Sequence, residues 1–120
     1  MILAVVGTRK MCPALEKYAH LIIWHEITSG KWESGVTGDA PGIDTLFRDI
    51  CWSEQRWCDV LTPAHRRWEP DGYKARNMKI VDTCEGLISI RHPGSPTYGS
   101  GWTANYAEQC GKLLARVEIS

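Results

Sequence analysis

Net charge is the first thing this chain lacks: 14 lysines and arginines balance 14 aspartates and glutamates, leaving a formal charge of zero. No broad basic face is offered to nucleic acid or to an anionic membrane, which leaves room only for a local anion site. A C-x-x-C pair is missing too. The five cysteines, Cys12, Cys51, Cys58, Cys84 and Cys110, are odd in number and scattered, as expected of reduced, mostly buried thiols in a cytoplasmic protein. His20, His25, His65 and His92 make no metal-ligand spacing with them, so no metal is expected.

Long apolar runs are absent as well. The opening Met1-Ile2-Leu3-Ala4-Val5-Val6 is cut at Gly7 and followed by Arg9 and Lys10, too short for a leader peptide core or a membrane span. It reads as a buried first strand. Without repeats or low-complexity linkers, the 120 residues form one domain over 1–120. A chain of this size buries roughly two thirds of the surface it exposes when unfolded, enough for a core without staples. Two cofactor signatures are also missing. The first glycine turn has no G-x-G-x-x-G, and Pro13 delays the helix after it, which disfavours a nicotinamide site; no G-K-[ST] follows, which removes a P-loop. No cofactor is therefore expected.

What is present is a set of glycine-bearing turns, each at the end of a short apolar run. These are Val5-Val6-Gly7-Thr8-Arg9, Val36-Thr37-Gly38-Asp39-Ala40-Pro41-Gly42, and Pro93 through Gly99-Ser100-Gly101. Glycine lets backbone approach a ligand closely, and a helix starting after a strand presents unpaired N–H groups there. Between the turns, Leu15, Tyr18, Ala19, Ile22, Ile23 and Ile27 recur at helical spacing, predicting a first helix from Pro13 to about Thr28 with Gly30 as its stop. Ile43, Leu46, Phe47, Ile50 and Cys51 predict a second.

Strands are expected at 35–37, 59–62 and 86–90, with a half-exposed edge strand where Ala115, Val117 and Ile119 alternate with Arg116 and Glu118. Residues 64–73 should be a loop, 74–83 a third helix with Ala75, Met78 and Val81 inward, and a fourth helix should run from Trp102 or Thr103 to Cys110. Alternation of this kind predicts an α/β fold: a Rossmann-like three-layer sandwich around a central, mostly parallel five-stranded sheet. In such sheets ligands bind beyond the carboxyl ends of the strands, where strand order switches, and all the glycine turns fall at that edge.

The residue types there suit an anion. Thr8 offers a hydroxyl and Arg9 a planar cation, fitting phosphate or carboxylate, against the plainer reading of a capped turn and a surface arginine. Asp44, in the first turn of helix two, either complements the helix dipole or accepts hydrogen bonds from ribose hydroxyls, and Asp39 is a second candidate. His65-Arg66-Arg67-Trp68 reads as a solvated loop whose cations and tryptophan are within reach of a ligand phosphate and base. His92 ends the fourth strand at the crevice edge. Six tryptophans are many for this length, and Trp24, Trp52 and Trp57 sit beside the apolar stripes, as at a wet boundary or an oligomer interface.

Gly7-Thr8-Arg9, Gly38-x-x-x-Gly42-x-Asp44-Thr45, Trp68, Gly72, Arg76-Asn77 and Gly101-x-Thr103 followed by Glu108 resemble, in order and over nearly the whole chain, the YspA-type branch of the SLOG superfamily. That superfamily groups the DNA-processing protein DprA, the LOG cytokinin-activating phosphoribohydrolases and nucleotide-ligand sensors on a Rossmann-like fold. The resemblance implies a site for a nucleotide or nucleotide-derived ligand, formed by Gly7, Thr8, Arg9, Gly38, Asp39, Gly42, Asp44, Arg76, Asn77, Gly99, Ser100, Gly101 and Thr103. LOG-type enzymes add a catalytic arginine in an R-K-x-x-M-like helix and a glutamate just after a P-G-G-x-G-T turn. Arg76-Asn77-Met78-Lys79-Ile80 matches the first. For the second, Trp102 interrupts the Gly-Thr pair, Ala104 and Asn105 stand where the glutamate belongs, and Glu108 lies more than a turn past Thr103.

A glycosidic hydrolase needs a carboxylate near the anomeric centre. The reading is therefore a binding or sensing module for a nucleotide or related ligand. The alternatives are an N-glycoside hydrolase acting on a nucleoside monophosphate, with Arg76, Asp44 or Glu108 catalytic, and an interaction protein that oligomerises through its tryptophans.

Overall fold

Runs of Ile, Leu and Val that stay apolar at every position, rather than alternating, belong to strands buried on both faces of a parallel sheet. The first such run forms β1 (Ile2–Gly7), and a computed structural model, describing residues 1–94 and 100–120, shows how the rest is arranged around it. In order follow α1 (Pro13–Ile27), β2 (Ser34–Gly38), α2 (Ile43–Ser53), β3 (Trp57–Leu61), α3 (Tyr73–Thr83), β4 (Gly86–Arg91), α4 (Ser100–Gln109) and β5 (Leu113–Glu118).

The five strands form one sheet in the order β3-β2-β1-β4-β5, with every neighbouring pair parallel. The fold is thus a Rossmann-like α/β sandwich. The chain steps outward from β1 to β3, then returns to lay β4 on the other side of β1. Strand order therefore reverses between β1 and β4, which are paired from Leu3 with Gly86 to Gly7 with Ile90. A crevice opens there at the carboxyl ends, because crossovers leave the two strands in opposite directions.

Alternate β1 side chains feed two cores. Leu3 and Val5 join Leu15, Ile23, Ile43 and Phe47 beneath α1 and α2, while Ala4 and Val6 join Ile80, Val81, Leu87 and Ala107 beneath α3 and α4. Full burial of a Leu, Ile or Phe side chain contributes about 1.5–3 kcal/mol, so the first cluster carries much of the driving force. Trp32 also enters it, and its indole N–H donates to Glu26 Oε1 at 3.0 Å. At the sheet edge, Leu113, Ala115 and Val117 of β5 are half-buried while Leu114, Arg116 and Glu118 face solvent.

Several expected boundaries shift. β3 begins at Trp57 rather than Asp59, because parallel pairing with β2 starts at Ser34 with Trp57. The inward side of α3 differs by a rotation: Ala75 is exposed, Met78 half-buried, and Arg76, Asn77, Ile80 and Val81 are buried. A stripe search for apolar residues misses this face, since half of it is polar. The fourth helix starts at Ser100, two residues before the expected position, so Ser100 and Gly101 belong to its first turn rather than to a loop. Tyr18 turns outward from α1, where Leu15, Ala19, Ile23 and Ile27 are the buried set.

Candidate functional site

The turn after β1 and the turn after β2 are stitched together by backbone. The first amide of α2, at Ile43, donates to the Thr8 carbonyl at 3.1 Å, and the Thr8 amide donates to Ile90 O at 3.2 Å. Gly42, at φ +85°, makes this possible, since a Cβ there would lie 2.3 Å from the Thr8 oxygen. The leading amide of α2 thus meets protein rather than facing a ligand. Thr8 itself is buried, and its hydroxyl donates to the Lys10 carbonyl at 3.3 Å.

Asp44 is the buried charge of this junction. It occupies the first turn of α2 but points inward, only 5 % exposed, so it is not a solvent-facing partner of the helix dipole. Burial pushes its carboxyl up to about 7, against the pull of Arg76, of the Ala40 and Gly7 amides and of Arg9. The glycine turns therefore direct backbone donors at Asp44.

Arg76 enters from α3 at the same level. Its Nε donates to Asn77 Oδ1 at 2.7 Å, and its Nη1 donates to Asp39 Oδ1 at 2.9 Å and Leu61 O at 3.2 Å. Gly38 provides the room: a Cβ there would come within 2.7 Å of both Arg76 Nη1 and Asp44 Oδ2. Asp39 also receives Arg66 Nη2 on its other oxygen at 2.8 Å. Burial opposes ionisation of Asp39, but hydrogen bonds and charge from Arg66 and Arg76 outweigh it and hold the carboxyl below its ordinary range. Arg66 comes from the loop between β3 and α3, which is pinned by amide bonds from Tyr73 to Arg67 O at 2.7 Å and from Lys74 to Trp68 O at 3.0 Å.

These elements enclose a cavity of about 700 Å³ at the β1/β4 switch point. Of the residues expected at a ligand, Gly7, Thr8, Arg9, Asp44, Arg76, Asn77 and Thr103 line it. Gly38, Asp39 and Gly42 stand outside its lining, in the supporting contacts just described. Gly101 lines a neighbouring hollow with Trp68, Arg91, Trp102 and Arg116, and Gly99 lies outside the described residues. Glu108 is elsewhere: it is exposed, accepts from Arg116 Nη1 at 2.9 Å, and lines neither space.

The structure adds Lys10, Met11, Cys12, Ala40 and Tyr73 to the cavity wall and brings in Arg66, Trp68 and His92. Arg66 is exposed, as expected of a solvated loop, and the pinned loop also turns it onto Asp39. Tyr73 carried no motif; its one signal was an aromatic directly after Pro70-Asp71-Gly72 at a helix start. Its ring lies 5.4 Å from the guanidinium carbons of both Arg9 and Arg76. Burial disfavours its phenolate, but Arg66 and Arg9 at the hydroxyl outweigh this and lower its pKa.

The exposed tryptophans lie at the other end of the sheet. Trp57 opens β3, while Trp24 and Trp52 sit near the carboxyl ends of helices that run back to the strands' amino edge. Trp24 donates to Glu54 Oε1 at 2.9 Å. Among the described residues no group of three or more His, Cys, Asp or Glu is placed to hold a metal, and no helix is long and apolar enough to cross a membrane. Cys51, Cys58 and Cys84 are buried free thiols, Cys12 is half-buried and Cys110 exposed.

Compared with known proteins, the chain matches no family model and no curated sequence.

Proposed function

We propose that the chain binds a nucleotide or nucleotide-derived ligand in the cavity at the β1/β4 switch point, as a binding or sensing module of SLOG type without efficient turnover. One observation carries the reading: a single cavity gathers Arg9, Lys10, Arg66 and Arg76 with the aromatic walls Trp68 and Tyr73. Clustered guanidinium groups suit phosphate, and flat aromatic surface suits a base. The Rossmann-like topology, with Gly7, Thr8, Arg9, Asp44, Arg76, Asn77 and Thr103 of the motif set at the cavity, supports the SLOG reading. A panel of nucleotides, cyclic nucleotides and NAD derivatives tests the proposal by thermal shift, where ligand at 100 times its dissociation constant adds about 2.7 kcal/mol. No shift with any member would sink it.

Asp44 supports a second reading, an N-glycoside hydrolase acting on a nucleoside monophosphate. Among the described residues lining the cavity it is the only carboxylate, and it titrates near neutrality, where an acid or base is useful. Release of free base that stops in Asp44→Asn would establish turnover; intact substrate after long incubation would refute it. Oligomerisation through Trp24, Trp52 and Trp57 is a separate proposal, supported by their exposure at the edge opposite the cavity. Sedimentation as a monomer at high concentration would reject it.

A further inference from the structure

Four cations face the cavity, but they are not equivalent. Arg76 is only 6 % exposed and committed to Asp39, Asn77 and Leu61, so it acts as a fixed charge in the wall. Arg9 and Arg66 come from different loops, one after β1 and one before α3, and both are exposed. Long side chains from separate loops lose much rotamer entropy when brought together, so something must gather them. Tyr73 does this. The guanidinium carbons of Arg9 and Arg76 each lie 5.4 Å from its ring centroid, while its hydroxyl faces Arg66 and Arg9. Asp39 fixes the second anchor of Arg66 at 2.8 Å.

The charge count points to the ligand's end group. Arg9, Lys10, Arg66 and Arg76 oppose Asp39 and Asp44, leaving at least two positive charges in excess even with both carboxylates ionised. A guanidinium presents its donors as a rigid fork, and paired forks match a group with several charged oxygens in one tetrahedron. A phosphate monoester offers three such oxygens and close to two charges; a diester offers two oxygens and one charge. We propose that Tyr73 is the positioning residue that sets specificity here, holding Arg9 and Arg66 as a pair that selects a terminal phosphate monoester over the corresponding diester. The identity of the rest of the ligand rests on the nucleotide reading above; the preference for a monoester does not.

The test measures calorimetric affinity of the wild-type chain, Tyr73→Phe and Arg66→Ala for four probes. These are a mixed set of nucleoside 5′-monophosphates, their methyl phosphodiesters, ribose 5-phosphate and its methyl diester. Wild type should prefer each monoester by roughly tenfold or more, the scale of one charge-assisted hydrogen bond. Tyr73→Phe keeps the ring and should retain the wild-type melting temperature while losing most of that ratio, and Arg66→Ala should lose it as well. Equal binding of monoester and diester by wild type overturns the inference and leaves the nucleotide reading standing. A ratio that survives in Tyr73→Phe removes Tyr73 from the role. Selective, Tyr73-dependent binding of ribose 5-phosphate without any nucleotide binding keeps the inference and overturns the nucleotide reading. Failure of all four probes overturns both.

Discussion

The two faces of the sheet are built from the same strands to different ends. Beneath α1 and α2 lies the larger apolar cluster, from Leu3 and Val5 through Ile23 to Phe47, with the buried Asp44 of α2 at the cavity. Beneath α3 and α4 the apolar cluster is smaller, and toward the carboxyl edge it gives way to buried Arg76, Asn77, Ser89 and Thr103. One face supplies stability through area removed from water. The other accepts the cost of buried polar groups, and it does so beside the cavity. Burying charge is expensive unless it is paired, so Arg76, Asp39 and Asp44 occur as a set.

This contrast can be broken experimentally, and the largest effects fall on its two centres. Phe47→Ala should lose about 3–5 kcal/mol in urea titration, through lost transfer energy and a residual cavity, with the same loss at pH 5 and pH 8. Arg76→Ala should lose a comparable amount, about 3–5 kcal/mol, at pH 8, because it takes the cation away from buried Asp44 and leaves Asp39 with Arg66 alone. At pH 5 its cost should shrink, since Asp44 is then mostly protonated and has less need of a cation. Equal costs at both pH values for Arg76→Ala would erase the distinction between the faces.

Asp44→Asn sharpens the comparison further. A carboxyl raised to about 7 from 3.8 binds its proton more tightly folded than unfolded, so its contribution is greatest below pH 3.8 and lost as pH climbs to about 7. Asp39 has the opposite sign: its contribution is present above 3.8 and disappears as pH falls through its lowered folded value. Removing the ionisable group at Asp44 should flatten stability between pH 4 and pH 7 and make the variant the more stable protein at pH 8. The limit is on the order of 4 kcal/mol, about three pKa shifts of 1.36 each. A wild-type urea midpoint that does not fall across this range would count against the buried, near-neutral Asp44. The smallest effect belongs to Glu108→Gln, which should change neither melting temperature nor ligand-induced shift, its partner among the described residues being the exposed Arg116.

The strand–helix alternation and the dry face were legible because their signals are local and periodic, whereas the order β3-β2-β1-β4-β5 came only from the folded sheet. Ile43, Phe47, Ile50 and Cys51 repeat at helical spacing, and the same residues are buried in α2. The wet face was harder to read. On α3 the inward positions Arg76 and Asn77 look like surface residues to any hydrophobic pattern, and they are buried because Asp39, Leu61 O and each other satisfy their hydrogen bonds. Asp44 read as a helix-dipole residue for the same reason: its sequence position is that of a first-turn acid, and only the packing of Gly38 against it shows that it faces inward. Tyr73 gave almost no signal, since its partners Arg9 and Arg66 are 64 and 7 residues away along the chain.

By itself, then, the sequence determined the alternation of strand and helix, the apolar stripes and the glycine turns at the strand ends, because backbone geometry and hydrophobic period act over a few residues. Tertiary structure alone decided what those turns do. It spends the Ile43 amide on Thr8 O and those of Gly7 and Ala40 on Asp44, and leaves arginine side chains from three separate segments to face the cavity. That division follows from the physics of charge: whether a carboxylate or guanidinium is solvated, paired or poised depends on which distant groups surround it.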